Sequence, residues 1–232
     1  MKTSFLSKLF DTIAPRQCAI CGRRLSPTEL VLCGKCHLRL PFTFFERSAQ
    51  DNPMARQFWG QLPIDRAAAW FYFDAQAETA HMIYDMKYHG RPLLARQLGT
   101  VMARQMQVSN YFDGIDALVP MPLTRRRLWQ RGYNQSYEIC RGISDVTGLP
   151  IYKNVVRRTS FAGSQTNKSA MQRRENVEHA FALTGKGNIT GKHILLVDDI
   201  VTTGSTAISC GRVITAASGS PISILSLGFA RS

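Results

Sequence analysis

The segment from residue 194 to residue 206 constrains the fold of this chain more than any other. Its sequence is ILLVDDIVTTGST. The apolar start is typical of a strand buried in a parallel sheet, and we predict that strand over residues 193–197. Two carboxylates, Asp198 and Asp199, follow it, and a helical pattern occupies residues 207–217. A strand, a short loop and a helix in this order indicate an α/β protein.

The loop between this strand and this helix can hold a sugar phosphate. Its hydroxyls, its backbone N–H groups and the helix N-terminus favour a phosphate, and its glycine lets the backbone approach closely. The two carboxylates can accept hydrogen bonds from the vicinal hydroxyls of a ribose. The alternative, a strand end before a Thr-capped helix, leaves two acids at the edge of a core, which is costly without a partner. The candidate phosphate-binding residues are Thr202, Thr203, Gly204, Ser205 and Thr206.

Four of the six cysteines form two pairs near the start of the chain. Cys18 and Cys21 precede Cys33 and Cys36, and each pair has two residues between its members. Two such pairs suit a tetrahedral Zn²⁺ whose four positions are all taken by protein, which makes the predicted metal structural. Disulfides or haem attachment would require an oxidising compartment or export, which nothing in the sequence indicates. A redox pair would need only one Cys-x-x-Cys motif.

Length and charge bound the remaining possibilities. The 232 residues suffice for one α/β domain with a small appendage. The formal net charge of +13 predicts attraction to polyanions. No apolar run approaches the roughly 20 residues that span a bilayer, so we expect no membrane span. Residues 1–14 fit a short amphipathic helix and not a signal peptide, so a cytoplasmic location is the default expectation.

The rest of the chain alternates helical and strand patterns. We predict strands over 67–73, 117–119, 151–156, 181–183 and 222–229, and helices over 75–89, 93–106, 134–147 and 169–179. Residues 41–63 show little periodicity and are interpreted as a connector. Cys140 and Cys210 fall in helical stretches and are predicted as core residues. The expected domains are 1–56, with an N-terminal helix, a zinc module and a connector, and 57–232, a mainly parallel sheet with helices on both faces.

A basic segment runs from residue 123 to residue 175. It holds eleven Lys or Arg and three Asp or Glu, so it carries +8 of the net charge. The simplest interpretation is a solvated surface, but arginines that bind diphosphate oxygens would also belong beside a phosphate site. Trp129 and Tyr133 lie within it, and we expect core or capping positions for them. Residues 160–168 are rich in Ser and Thr and are interpreted as a mobile loop.

Two resemblances emerge from these residues. Asp198-Asp199 and residues 202–206 resemble the PRPP-binding motif of type I phosphoribosyltransferases. The whole chain resembles the ComF family, in which a four-cysteine zinc module precedes a phosphoribosyltransferase-like domain. The further matching motifs are YDMKYHG at 84–90, PMP at 120–122, RGYNQ at 131–135, Arg158-Thr159 with Gln165-Thr166, and Arg173 with Asn176-Val177 and Ala180-Phe181.

The resemblance implies a function and a set of site residues. Asp198 and Asp199 would hold the ribose hydroxyls and serve in catalysis, while the loop would bind the 5-phosphate of PRPP. An enzyme of this kind would transfer a 5-phosphoribosyl group to an unknown acceptor, release pyrophosphate and use Mg²⁺ with PRPP. A role in competence and DNA uptake is implied by the resemblance alone. The candidate diphosphate and loop residues are Lys87, Arg131, Asn134, Arg158, Gln165, Arg173 and Asn176.

A second hypothesis keeps the fold but not the reaction. In it the protein is an adaptor that binds single-stranded DNA through the basic segment, with Trp129 and Tyr133 stacking on bases and PRPP or a nucleotide phosphate as a ligand. The sequence leaves enzyme and adaptor open, because both use the same fold and the same charged residues. Release of pyrophosphate with some acceptor would separate them.

Overall fold

The centre of the fold is a parallel sheet of four strands. The structure, a computed structural model, describes residues 16–159 and 180–230. The strands in this part of the chain are β1 (Ile64–Phe73), β2 (Ala117–Pro120), β3 (Val156–Arg158), β4 (Phe181–Leu183), β5 (Ile194–Val201) and β6 (Ile222–Ala230). The main sheet has the order β1-β6-β5-β2, with all neighbours parallel, and β3 pairs with β4 in an antiparallel ribbon.

Helices fill the connections between these strands. They are α1 (Gly34–Leu38), α2 (Pro53–Arg56), α3 (Ala80–Tyr88), α4 (Pro92–Gln107), α5 (Arg125–Arg131), α6 (Gln135–Thr147) and α7 (Ser205–Ser218), with a 3₁₀ turn at Phe45–Ser48. In β5 the first four residues are all buried, and in β6 the first eight are. Successive residues of a strand point to opposite faces, so both faces of the sheet are covered. The predicted α/β class is confirmed.

Helices α4 and α6 pack backbone against backbone. A Cβ on Gly142 of α6 would lie 2.0 Å from the carbonyl oxygen of Arg96, and one on Gly99 of α4 would lie 2.4 Å from that of Ile139. The guanidinium of Arg96 also makes two hydrogen bonds of 2.7 Å to the carboxylate of Asp145. The two glycines let these helices approach closely, and α6 in turn packs on β2 and β5.

The connector packs into the core. Phe42 bridges to Phe71 of β1, and the side chain of Asn52 caps α2 by accepting from the N–H groups of Met54 and Ala55. Phe58 is fully buried. The segment therefore has short helical turns in place of the irregular course that its sequence suggested. The division at residues 56 and 57 stays a prediction.

Several predicted boundaries were wrong. Strand β5 runs on to Val201, because Asp198 and Ile200 continue the pairing with β6, so the carboxylates lie inside the strand. Residues 151–156 do not form one strand, since Ile151 makes an isolated bridge to Leu118 and β3 begins at Val156. Helix α3 begins at Ala80, five residues later than expected, and α5 was not predicted.

Other expectations have simpler outcomes. Cys140 and Cys210 are fully buried in α6 and α7, as predicted. The helices expected at 1–14 and 169–179 and the loop at 160–168 lie outside the described residues. Within 16–159 and 180–230, no helix is both long enough and apolar enough to cross a membrane.

We expect Gly142→Ala to destabilise the protein by about 1–3 kcal/mol, because the new methyl group overlaps the Arg96 carbonyl. Helix propensity alone predicts the opposite sign, a gain of about 1 kcal/mol. Urea unfolding measures the difference, with Gln107→Ala on exposed α4 surface as the control, expected within about 0.5 kcal/mol of wild type. A more stable Gly142→Ala protein would contradict the close packing of α4 on α6.

Candidate functional site

The two carboxylates of β5 have different partners. Asp199 Oδ2 lies 3.2 Å from Lys87 Nζ of α3 and 3.9 Å from an Arg131 guanidinium nitrogen of α5, and all three side chains are mostly buried. Asp198 accepts a hydrogen bond of 3.3 Å from Ser136 Oγ in α6. Three helices thus deliver polar groups to the end of one strand. The acids are therefore not left without partners, and Asp199 is the one that stands close to two cations.

The environment of Asp198 disfavours its charge. Burial and the adjacent carboxylate of Asp199 raise the pKa of Asp198 to about 7, although the Asp199 N–H, the charge of Lys87 and the Ser136 hydroxyl lower it. Asp198 keeps part of its surface open to the cleft. One carboxylate is therefore paired with cations, while Asp198 exchanges its proton near neutral pH.

The loop after β5 presents uncapped N–H groups. Helix α7 begins after Gly204, and among the described residues no side chain caps its N-terminus. Its first hydrogen bond runs from the Ile208 N–H to the Gly204 carbonyl at 2.8 Å. The N–H groups of residues 205–207 thus face a small cavity lined by Asp198 and residues 200–207. Such a helix end attracts anions.

Position 204 requires a glycine, both for its backbone conformation and because the Phe58 ring lies close to it. Its φ of +72° lies in the left-handed region, and a Cβ there would come within 3.0 Å of the Phe58 ring. The sequence predicted close backbone approach to a phosphate at this glycine. The structure adds that the connector residue Phe58 supports the loop from behind.

The predicted diphosphate residues are distributed unevenly. Lys87 and Arg131 meet at Asp199. Asn134 caps α6 instead, with its amide donating to the Met121 carbonyl at 3.0 Å and its oxygen accepting from the Tyr137 N–H at 3.3 Å. Its diphosphate role stays a prediction. Gln165, Arg173 and Asn176 lie outside the described residues.

Arg158 stands on β3, half-buried, with its guanidinium over the ring of Phe181. Burial and the charge of Arg127 lower its pKa, and the charge of Asp198 raises it. Arg158 therefore lies within electrostatic reach of the carboxylates without forming a direct ion pair with either. From this position Arg158 could pair with a bound anion.

Ser136 and Tyr133 contribute contacts that were not predicted from the sequence. The Ser136 hydroxyl donates to Asp198. The Tyr133 hydroxyl donates to the carbonyl of Met86, next to Lys87, and thereby ties the start of α6 to α3. The motif RGYNQ at 131–135 signals this segment, but spacing alone does not tell which side chain reaches which helix.

Trp129 corrects another expectation. Its side chain is 86% exposed on α5, between the exposed Arg125, Arg126 and Arg127 and the mostly buried Arg131. It is neither a core nor a capping residue, whereas Tyr133 is half-buried as expected. Helix α5 therefore displays an aromatic ring within a strongly basic surface.

The four predicted zinc ligands come together. The Sγ atoms of Cys18, Cys21, Cys33 and Cys36 all lie within 4.8 Å of one another, and those of Cys21 and Cys33 are 3.8 Å apart. Sulfurs about 2.3 Å from one tetrahedral zinc ion stand about 3.8 Å apart, so the spacing fits this metal. The Cys33 N–H donates to Cys18 Sγ at 3.3 Å. The cluster is compatible with zinc.

Two thiols of the cluster differ in acidity. Burial raises the pKa of Cys18, but backbone N–H donors, those of Cys21 and Cys33 first, outweigh it and bring the value to about 7. Burial and the neighbouring sulfurs raise the pKa of Cys36. A Cys18 thiolate therefore forms readily and opposes the ionisation of Cys36, which a bound cation would favour.

The chain is similar to proteins that are named for DNA utilization and for competence. DNA utilization protein YhgH of Escherichia coli K12 is 28% identical over 200 residues, which are 85% of this chain and 83% of that protein. Competence protein F of Haemophilus influenzae is 38% identical over 92 residues, 39% of this chain and 40% of its own. No protein-family model matches. With the four-cysteine cluster, these relatives confirm the resemblance to ComF.

Solved structures that match part of this chain include an amidotransferase and a phosphoribosyltransferase. Glutamine phosphoribosylpyrophosphate amidotransferase from B. subtilis matches 62% of this chain at 17% identity with a TM-score of 0.44, but only 30% of its own length is covered. Hypoxanthine phosphoribosyltransferase from Trypanosoma cruzi, complexed with the product IMP, matches 58% of this chain and 64% of its own at 15% identity, with a TM-score of 0.37.

We expect Asp198→Asn to make stability less dependent on pH. The unfolded chain loses this proton near pH 4, whereas the folded protein holds it to about pH 7, so wild-type stability falls between these values. The variant should gain about 1–3 kcal/mol over wild type at pH 8 and little at pH 4.5. Urea unfolding at both pH values measures this.

Asp199→Asn provides the matched control. It should lose stability at pH 8, because it removes the charged partner of Lys87 and Arg131. If both variants changed stability alike, the assignment of one paired and one protonated carboxylate would be wrong.

Proposed function

We propose that the protein binds PRPP at the carboxyl end of β5. The observation that carries this proposal is the uncapped N-terminus of α7 beside Asp198 and Asp199. The N–H groups of residues 205–207 and the loop hydroxyls would hold the 5-phosphate, and the carboxylates would accept hydrogen bonds from the ribose hydroxyls. A ligand that carries both a phosphate and a vicinal diol would match the helix end and the carboxylates together.

The reaction that we propose for this site is phosphoribosyl transfer. The C1–oxygen bond to the diphosphate breaks, and its electron pair leaves with pyrophosphate. A nucleophile of the acceptor forms the new bond to C1 and gives up its proton. Lys87 and Arg131 are positioned to neutralise the leaving group, and Asp198 and Asp199 to orient the ribose as positive charge develops at C1. Mg²⁺ on the diphosphate would supply further positive charge for the leaving group.

The cysteine cluster serves stability in this proposal. Four thiolates that take all positions of a tetrahedral zinc leave no open position for a substrate. Residues 16–40 form only one short helix, α1, with no buried residue of its own, so a metal is the natural source of order. The surrounding segment packs through Val31, Leu32 and Leu40.

A second function, binding of single-stranded DNA, is favoured by the exposed Trp129. A ring that is 86% exposed among exposed arginines can stack on a base while the guanidiniums contact phosphates. The relatives named for DNA utilization and competence agree with this function. It is compatible with PRPP binding, because Trp129 is exposed on α5 while Arg131 of the same helix stands near Asp199.

We expect the Asp198→Asn/Asp199→Asn double variant to bind PRPP at least tenfold more weakly than wild type. Each charge-assisted hydrogen bond to the ribose is worth roughly 1.5–3 kcal/mol. Isothermal titration with PRPP, with and without Mg²⁺, measures the change. Asp113→Asn, an exposed position in the turn before β2, is the control. Wild-type affinity in a folded double variant would place the ribose elsewhere.

We expect about one zinc per chain in protein purified under reducing conditions, and loss of that zinc in Cys36→Ser. Metal analysis of the purified chain checks the content, and thermal unfolding should show a lower midpoint for the variant. Cys140→Ala, at a buried cysteine outside the cluster, should keep its zinc. A wild-type protein without zinc, or one with Cys18 and Cys21 joined in a disulfide, would refute the assignment.

We expect affinity for single-stranded DNA to fall steeply between 50 and 200 mM salt, because contacts to phosphates release counterions. Trp129→Ala should weaken binding by about 1–3 kcal/mol without changing the salt slope, since stacking carries no charge. Fluorescence anisotropy with a labelled oligonucleotide measures both. Trp59→Ala, a Trp 53% exposed beside α2, is the matched control. Equal effects of the two variants would argue against α5 as the contact surface.

A further inference from the structure

A second cavity opens beside the carboxylate pair. It has a volume of about 650 Å³ and lies between the segment around α5, the start of α6 and strand β3. This volume falls within the range of about 300–1,000 Å³ that is typical of small-molecule sites. The first turn of α6 lines it with Tyr137 and Glu138, and the same turn carries Ser136, which contacts Asp198. The cavity and the proposed ribose site therefore share one helix end.

Four cations line the cavity. Arg125, Lys153, Arg157 and Arg158 all line it. Among the side chains that the structure places, no carboxylate lies within 4 Å of any of these four. The carboxylate in the lining, Glu138, is already paired with Arg141 at 3.1 Å. An excess of positive charge therefore faces the cavity, and this favours an anionic ligand.

Its wall also offers apolar surface next to a cation. Lys153 Nζ stands over the ring of Tyr137, 4.4 Å from its centroid. Leu123 and Leu128 add apolar surface, and Leu128 is 45% exposed. An aromatic ring of a ligand can pack on such a wall, while an acidic group on that ring reaches the cations.

We propose that this cavity binds the acceptor and that the acceptor is a planar aromatic ring bearing an acidic group. This rests on the proposed phosphoribosyl transfer and names the substrate class of the same site. The acidic group contacts Lys153 and Arg157, and the ring packs against Leu123 and Leu128. The shared helix end holds the ring beside the position proposed for the ribose.

The test uses two matched pairs of probes that differ only in the acidic group. Nicotinate is compared with nicotinamide, and phenyl phosphate with phenol. Isothermal titration is done in the absence of PRPP and again with PRPP present. We expect at least one acid to bind ten times more tightly than its neutral partner. The pair that shows the preference tells whether the group is a carboxylate or a phosphate, and either supports the proposal.

Variants locate the binding. Lys153 and Arg157 are exposed, so Lys153→Ala/Arg157→Ala should fold normally, lose the preference for the acid and keep the affinity for PRPP. Arg104 is an exposed residue of α4 that lines a different groove. Arg104→Ala removes one charge there and should behave as wild type.

Two results would overturn the proposal: equal binding of acid and neutral probe by wild type, or an unchanged preference in the double variant. Failure of the proposed function is distinguishable from both. Wild type would then not bind PRPP, while the titrations without PRPP would still report on the cavity.

Discussion

The arrangement of the site depends on one constraint. Two carboxylates lie inside β5, a strand that is buried on both faces. A charge at that position is tolerated only with partners, and Lys87 and Arg131 supply them for Asp199. These cations come from α3 and α5, which are far apart in the sequence. The ion cluster therefore fixes two helices against the end of β5. Burial and the charge of Asp199 raise the pKa of Asp198 to about 7, and its hydrogen bonds from the Asp199 N–H and the Ser136 hydroxyl oppose this only in part.

This division of roles suits a binding site more than a structural one. A pair that served stability alone would be fully compensated, whereas Asp198 is left with an unfavourable charge that a ligand can relieve. The N-terminus of α7 is similar in this respect, because no described side chain caps its N–H groups and a ligand could accept from them. Functional sites commonly keep groups that the fold alone would not choose.

The sequence predicted the parts of the site that are local and missed those that are tertiary. The order strand, loop, helix follows from residues 194–206, and the cysteine cluster follows from spacing, since both depend on neighbours in the chain. The end of β5 could not be placed, because Asp has low strand propensity and it is the pairing of Asp198, Ile200 and Val201 with β6 that extends the strand. Nor does spacing reveal that Ser136 faces Asp198. Helix α5 was missed because its start depends on the Thr124 cap and its end on Gly132.

The strand order also sets when the sheet can form. Strand β1 is joined to the rest of the sheet through β6, which also borders β5, and β6 is the last of the six described strands along the chain. Ile64 and Ile222 are partners although they stand far apart in the sequence. Such long-range pairing slows folding, because the intervening chain must be ordered first. Until residues 222–230 pair, β1 and β5 therefore lack the strand that joins them, and the loop at 202–206 follows a strand with one unpaired edge.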